Sequence, residues 1–171
     1  MRKIILGVAV SLDGFIEGPN GEYDWCFTDQ DYGMSAFFKR IDTIFMGRRS
    51  YEVAKTMEGE NPWKGTRTYV FSKTLKTLDD PHALVVSGEN LEQQILEIRN
   101  SPGKDIWLFG GAELTTTFIN KGLVDEFWLA VHPLILGCGK PLFQNIDARK
   151  NLVLKESKVY ETGLVSLTYA H

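Results

Sequence analysis

Ile106-Trp107-Leu108-Phe109-Gly110-Gly111-Ala112-Glu113-Leu114-Thr115-Thr116-Thr117-Phe118-Ile119 reads as a strand, a turn and a helix in immediate succession. Ile106 to Phe109 is a short apolar block of the buried-strand type. After the two glycines the apolar residues fall at Leu114, Phe118 and Ile119, a helical spacing. A strand that turns directly into a helix leaves the helix's first N–H groups unpaired, at the end where its dipole is positive. Such an end suits a phosphate or pyrophosphate, and glycines let a ligand approach the backbone with no Cβ in the way. Taken alone, Gly110-Gly111 is a plain tight turn. The phosphate reading gains weight from the other strand ends along the chain.

Upstream, Lys3 to Ser11 is apolar on both faces, as a central parallel strand is. Gly18-Pro19-Asn20-Gly21 is a strong turn signal, so Asp13 to Asp31 is expected to be a long loop. It carries Tyr23, Asp24, Trp25 and Phe27, a mixture suited to a pocket mouth. A helix is expected over Asp31 to Ile41, with Met34, Phe37, Phe38 and Ile41 on one stripe that patterning alone assigns to the core. Thr43 to Met46 is the second strand. Gly47-Arg48-Arg49-Ser50 follows at a strand-to-helix junction, where the arginines either fork onto phosphate oxygens or lie as a solvated pair. That helix runs to about Met57, and Pro62 and Gly65 mark a loop.

Arg67 to Phe71 forms a third strand ending in Ser72-Lys73-Thr74, and Ala83 to Val86 a fourth. Leu91 to Arg99 is an amphipathic helix and Asp105 to Phe109 the fifth strand. The helix from Ala112 stops near Lys121-Gly122, a C-terminal glycine signal. Val124 to Leu136 reads as a long strand with a break signalled at His132-Pro133, and Gly137 to Pro141 as a loop. Leu152 to Val159 and Leu164 to Ala170, around Glu161-Thr162-Gly163, form a β-hairpin.

The 171 residues suit one domain, 1–171. A hydrophobic content of 43% and a charged content of 24% are those of a soluble globular protein. A net charge of -3 gives no footprint for nucleic acid or a membrane surface, and no apolar run is long enough to span a bilayer. The apolar start reaches Asp13 without a cleavage site, so it is not a signal peptide. Cys26 and Cys138 lack Cys-x-x-Cys spacing, as a reduced cytoplasmic pair would. His82, His132 and His171 do not cluster, and no metal site is expected.

Strands alternating with helices, then a hairpin, imply a three-layer α/β/α domain with a mainly parallel mixed sheet and antiparallel strands near one edge. In such sheets ligands lie outside the carboxyl ends of the strands. The loop after Ser11, Gly47 to Ser50, Ser72-Lys73 and Gly110-Gly111 all fall there. Together they describe one margin with backbone donors and three cations, suited to an extended phosphate-bearing ligand. There is no Gly-x-Gly-x-x-Gly and no Walker motif.

Ile44-Phe45-Met46-Gly47-Arg48-Arg49-Ser50-Tyr51-Glu52 resembles the Met-Gly-Arg segment of dihydrofolate reductases, with Phe38-Lys39-Arg40, Ser72 and Phe109-Gly110-Gly111-Ala112 in matching order. Ser11-Leu12-Asp13-Gly14, Gly122-Leu123-Val124-Asp125-Glu126 and Pro133-Leu134-Ile135-Leu136-Gly137 are similar to a sister branch, the C-terminal pyrimidine reductase domain of the bifunctional deaminase-reductases of riboflavin biosynthesis. The resemblance spans nearly the whole chain. It implies the dihydrofolate reductase-like fold, NADPH as cofactor and a homodimer.

By matching position, Ala9 and Ile16 would touch the nicotinamide. Gly110, Gly111, Ala112, Glu113 and Leu114 would hold the pyrophosphate. Gly47, Arg48, Arg49, Ser50, Ser72 and Lys73 would surround the adenosine and its 2′-phosphate. Trp25, Met34, Phe37 and Phe38 would face the substrate.

The departures bear on the substrate. Met34 stands where dihydrofolate reductases carry the acid that holds the pterin. Asp31, a turn earlier, fits a helix N-terminal charge. Phe109 stands where the riboflavin reductases carry Glu. The deaminase signature is absent, which implies a free-standing reductase-like domain. Asp13 is a candidate for orienting or protonating a substrate. The expected activity is NADPH-dependent reduction of a small heteroaromatic compound, resembling 5-amino-6-(5-phosphoribosylamino)uracil reductase. The alternatives are a non-catalytic NADP-binding protein of the same fold and a pterin or dihydrofolate-type reductase.

Overall fold

The computed structural model describes residues 1–56, 65–88 and 90–171. Among these, eight strands form one sheet. In chain order its elements are β1 (Ile4–Ser11), β3 (Ile41–Gly47), β4 (Arg67–Phe71), β5 (Ala83–Val86), β6 (Asp105–Gly110), β7 (Glu126–His132), β9 (Val153–Val159) and β10 (Val165–Ala170). The spatial order is β5-β4-β3-β6-β1-β7-β10-β9. The first six run parallel, and β10 and β9 add antiparallel at the edge. Every parallel strand therefore ends on one margin. A separate two-stranded piece, β2 (Phe15–Glu17) with β8 (Lys140–Pro141), ties the first loop to the 137–141 segment. Both had read as plain loop.

Helices α1 (Met34–Arg40) and α2 (Arg48–Thr56) pack on one face of the sheet, and α3 (Leu91–Asn100) and α4 (Ala112–Asn120) on the other. Strand alternation sorts the core accordingly. Ile4, Leu6, Phe45 and Leu108 join Phe118 and Ile95 on one side, while Ile5, Ile44, Met46 and Trp107 join Phe37 and Tyr51 on the other. The three layers expected from the sequence are the observed ones.

Two boundaries differ from expectation for local reasons. The helix anticipated from Asp31 begins at Met34, because Tyr32 (φ 47°) and Gly33 (φ 89°) adopt left-handed backbone. Asp31 instead accepts N–H bonds from Gly33 (3.1 Å) and Ser35 (2.8 Å), the helix-start role its position suggested. The long strand from Val124 is confined to Glu126–His132: the Ile4 N–H is taken by Asp125 Oδ2 at 2.7 Å and not by a backbone carbonyl of the strand, and Pro133 has no N–H to continue the ladder. The α2 end anticipated at Met57, and Pro62, lie outside the described residues.

Candidate functional site

At the carboxyl margin the ends of β4, β3, β6 and β1 lie side by side. Gly47 ends β3 opposite Phe71 of β4, and Met46 pairs with Gly110 of β6. A Cβ on Gly47 would lie 3.7 Å from both Gly110 O and Gly111 N. One on Gly111 would lie 3.2 Å from Ser50 Oγ. The two strand-to-helix turns thus touch through bare backbone. Gly110 has φ +109°, a conformation that favours glycine, and the Gly110–Gly111 peptide is cis. Gly111 caps α4 without a side-chain bond, and Thr115 N–H closes the first turn on Gly111 O at 2.9 Å. Helix geometry then leaves the N–H groups of Ala112, Glu113 and Leu114 for a ligand.

The cations lie around this cradle. Arg49 is exposed, and its Nη2 would be 3.3 Å from a Cβ on Gly21, so the guanidinium rests against the turn of the first loop. Arg48 Nε donates to Glu52 Oε1 at 2.7 Å and Nη1 to Thr74 Oγ1 at 3.1 Å, bridging α2 to the segment after β4. Ser72 Oγ accepts from the Thr74 and Leu75 N–H groups (3.3 and 3.0 Å), which folds that segment into a turn with Lys73 exposed in it. Among the described residues neither Arg49 nor Lys73 has an ion-pair partner. Backbone donors and cations on one side, and Gly cradles that a Cβ would fill, suit an elongated anion. The expected residues Gly47, Arg48, Arg49, Ser50, Ser72, Lys73 and Gly110 to Leu114 therefore occupy neighbouring strand ends.

Ala9 lies further along the margin on the α1–α2 face, directly opposite Ala130 of β7. Ile16, on β2, packs instead against the core on the α3–α4 side. Phe37 is buried between Trp107 (5.4 Å, edge-on) and Trp128 (4.6 Å, tilted), a supporting position, whereas Met34 and Phe38 are half-buried beside it. Asp13 accepts bonds from Ser11 Oγ (2.7 Å) and the N–H groups of Leu136 (3.1 Å) and Gly137 (2.8 Å). Desolvation raises its pKa, but these bonds outweigh it and hold the carboxyl below its ordinary value. It fastens the end of β1 to the chain after β7.

Sequence reasoning passed over His132. It is 2% exposed at the end of β7, with Nε2 accepting the Phe27 N–H at 3.1 Å and Nδ1 facing Ala130 O at 3.0 Å. Those partners require a neutral ring protonated on Nδ1. Burial pushes its pKa down, and backbone bonds offset this in part. Trp25 and Phe27 pack edge-on against the imidazole at 5.2 and 5.0 Å. The aromatic loop is thus pinned to the margin by a histidine whose only sequence signal was its place at a strand's carboxyl end. Among the described residues no group of His, Cys, Asp and Glu could hold a metal ion. No described helix is long and apolar enough to cross a membrane.

The family model of the RibD C-terminal domain matches residues 2–166. The Bacillus subtilis protein YyaP is 44% identical over 98% of this chain and 94% of its own, and YwjB of the same organism is 34% identical over 93% and 92%. A protein from Shewanella sp. PV-4, provisionally assigned to riboflavin biosynthesis, superposes with a TM-score of 0.87 at 25% identity over 99% of this chain and 98% of its own. The Thermotoga maritima diaminohydroxyphosphoribosylaminopyrimidine deaminase/5-amino-6-(5-phosphoribosylamino)uracil reductase shares the fold, with a TM-score of 0.75 at 14% identity over 99% of this chain and 56% of its length. The dihydrofolate reductase-like architecture is common to them.

Proposed function

The chain belongs to the RibD C-terminal domain family, and from that membership we propose that it is an NADPH-dependent reductase of a small heteroaromatic substrate. The observation that carries the reading is the contact of the Gly47–Ser50 and Gly110–Gly111 turns through bare backbone, with Arg49 and Lys73 beside them. Gly110 to Leu114 would hold the pyrophosphate on the first turn of α4. Arg49, Lys73, Ser50 and Ser72 would surround the adenosine 2′-phosphate, with Arg48 held in place by Glu52 and Thr74. The anion-seeking cluster favours NADPH over NADH. The bound nicotinamide supplies a hydride. The chain's own part is to position two rings and exclude water. Ala9 leaves room for the ring at the sheet's centre, and the His132-anchored loop closes the side of the margin. Asp13 holds that loop's entry, and the balancing proton comes from water.

Titration of NADPH and NADH by fluorescence quenching tests this. Arg49→Ala should cost about 1.5–3 kcal/mol for NADPH, the worth of a hydrogen bond to a charged group, and little for NADH. Equally weak binding of the two nucleotides would remove the cofactor assignment. Tight binding without oxidation of NADPH by any heteroaromatic compound would leave the non-catalytic alternative.

A homodimer belongs to the same reading. On the α3–α4 side of β7 and β10, Leu129, Val131 and Tyr169 pack at the border of that core and, with Val165 and Leu167, are all half-exposed. A second copy on that face would cover them, which light scattering checks.

A further inference from the structure

The first loop hangs on one imidazole. Between Tyr23 and Gln30 the chain belongs to no strand or helix. Among the described residues, two hydrogen bonds tie this segment to the rest of the fold. Phe27 N–H donates to His132 Nε2 at 3.1 Å, and Asp29 Oδ1 accepts from Tyr32 OH at 2.7 Å. The second is local, three residues along the chain, with the same hydroxyl 3.1 Å from Thr162 Oγ1. No backbone–backbone bond among the described residues leaves the segment, and Cys26 N–H turns back on Tyr23 O at 3.0 Å. Cys26 to Asp29 share an open cavity of about 370 Å³ with Thr162 of the hairpin turn, so that turn does not pack tightly on the segment. What remains is His132, with Trp25 and Phe27 packed edge-on against its ring at 5.2 and 5.0 Å.

That hold depends on the charge of the ring. His132 is 2% exposed and its Nδ1–H is committed to Ala130 O at 3.0 Å, so a proton enters at Nε2. The Nε2 lone pair is the one that accepts the Phe27 N–H. A proton taken up there from solvent leaves two donors facing each other and a cation buried without a counter-ion. No neighbouring element supplies one. In the first loop, Asp24 acts on the Cys26 thiol, which stays neutral with its pKa pushed up to about 11, and Asp29 is held by Tyr32. On β1, Val10 offers a backbone carbonyl, and Asp13 is taken by Ser11 Oγ and the N–H groups of Leu136 and Gly137. On β10, the adjoining pair is Val165 with Val131. Burial is the largest influence on the ring and opposes its charge, and the carbonyls of Ala130 and Val10 offset this in part.

We propose that His132 is a proton-operated latch on the first loop: its neutral ring holds Tyr23 to Gln30 against the sheet margin, and its protonation frees them. In the open form the imidazole meets water and regains its ordinary basicity. Acid therefore shifts the equilibrium toward the open loop, by at most about tenfold per pH unit for one proton. Trp25 and Phe27 leave with the segment, and the margin beside β1 and β7 opens. The latch needs no nucleotide and stands apart from the cofactor reading.

Amide hydrogen exchange of the full chain without ligand, followed by NMR and corrected for the intrinsic rate at each pH, tests this. The Phe27 protection factor should fall about threefold or more between pH 7 and 5.5. It should stay well below that of Leu108 in β6 at both, because the opening is local. His132→Gln, whose Oε1 accepts the Phe27 N–H at either pH, should hold the factor within about twofold. His132→Phe, which fills the space without an acceptor, should leave it low and independent of pH. A parent factor that does not change with pH overturns the proposal whether or not the variants fold. So does a pH response that His132→Gln retains, and so does a Phe27 factor equal to that of Leu108, since the loop would then leave only on global unfolding.

Discussion

Gly47→Ala separates the stability of the margin from its use. Gly47 does not have the positive φ that favours glycine, and the added Cβ would meet Gly110 O and Gly111 N at 3.7 Å, an ordinary contact. The fold should accept it. Replacing glycine at a compatible position stabilises by about 0.4–1 kcal/mol through the unfolded chain, a rise in Tm of about 1–3 °C at this chain length. The same methyl group occupies the gap between the two turns, where the pyrophosphate would approach backbone N–H groups. Losing one hydrogen bond to a charged group costs about 1.5–3 kcal/mol, so the Kd for NADPH should rise about 12- to 150-fold. Tm is read by scanning fluorimetry without nucleotide, and Kd by quenching at fixed ionic strength. Gly111→Ala is the comparator, since its Cβ would press to 3.2 Å on Ser50 Oγ and should lose binding without gaining stability. A Gly47→Ala protein of raised Tm whose Kd stays within twofold of the parent refutes the placement of the phosphates.

Three further outcomes follow from the side chains. The folded His132 has a pKa below its ordinary 6.5, so the unfolded chain binds the proton first. Its contribution is full above pH 6.5 and is lost as pH falls toward the folded value, and His132→Gln should flatten the urea midpoint between pH 7 and 5.5 relative to the parent. Arg40 grips Glu126 through Nη1 at 2.6 Å and Nη2 at 2.9 Å, and Asp105 through Nε at 2.7 Å. Arg40→Met should cost about 2–3 kcal/mol in a denaturant titration, less than a fully buried pair because Arg40 is 37% exposed. Cys138 is exposed, whereas desolvation first and Asp24 second push the Cys26 thiol up to about 11. Ellman's reagent at pH 8 should label one thiol rapidly and the other only after unfolding.

The strands were legible because burial on both faces writes itself as continuous apolar runs, as in Ile4 to Leu6 and Ile106 to Leu108. The Gly110–Gly111 turn was legible because a positive φ at Gly110 favours glycine and a Cβ on Gly111 would press on Ser50 Oγ. The first loop was not. Its path depends on long-range partners: Phe27 on His132, Tyr32 OH on Thr162, Asp13 on the chain after β7. None of these is encoded locally, and the helix that periodicity began at Asp31 is delayed by two left-handed residues that Tyr32 gives no reason to expect.

The substrate side was hidden by a different cause. Alanine carries no chemical signature, so Ala9 was singled out by the resemblance alone, and Ala130 inside an apolar strand reads as ordinary core. Their meaning comes from register. The pairing that sets Gly7 against Trp128 is the one that sets Ala9 against Ala130 and Ser11 against His132. A slip of one residue would turn Trp128 and His132 to the opposite face and leave nothing to anchor Trp25. The two tryptophans over Gly7, held in part by Trp107 Nε1–H to Gly7 O at 2.9 Å and Trp128 Nε1–H to Ser166 Oγ at 2.8 Å, enforce that register. The packing at the sheet's centre and the anchoring of the first loop on His132 thus have one physical origin, and substitution at Gly7 should disturb them together.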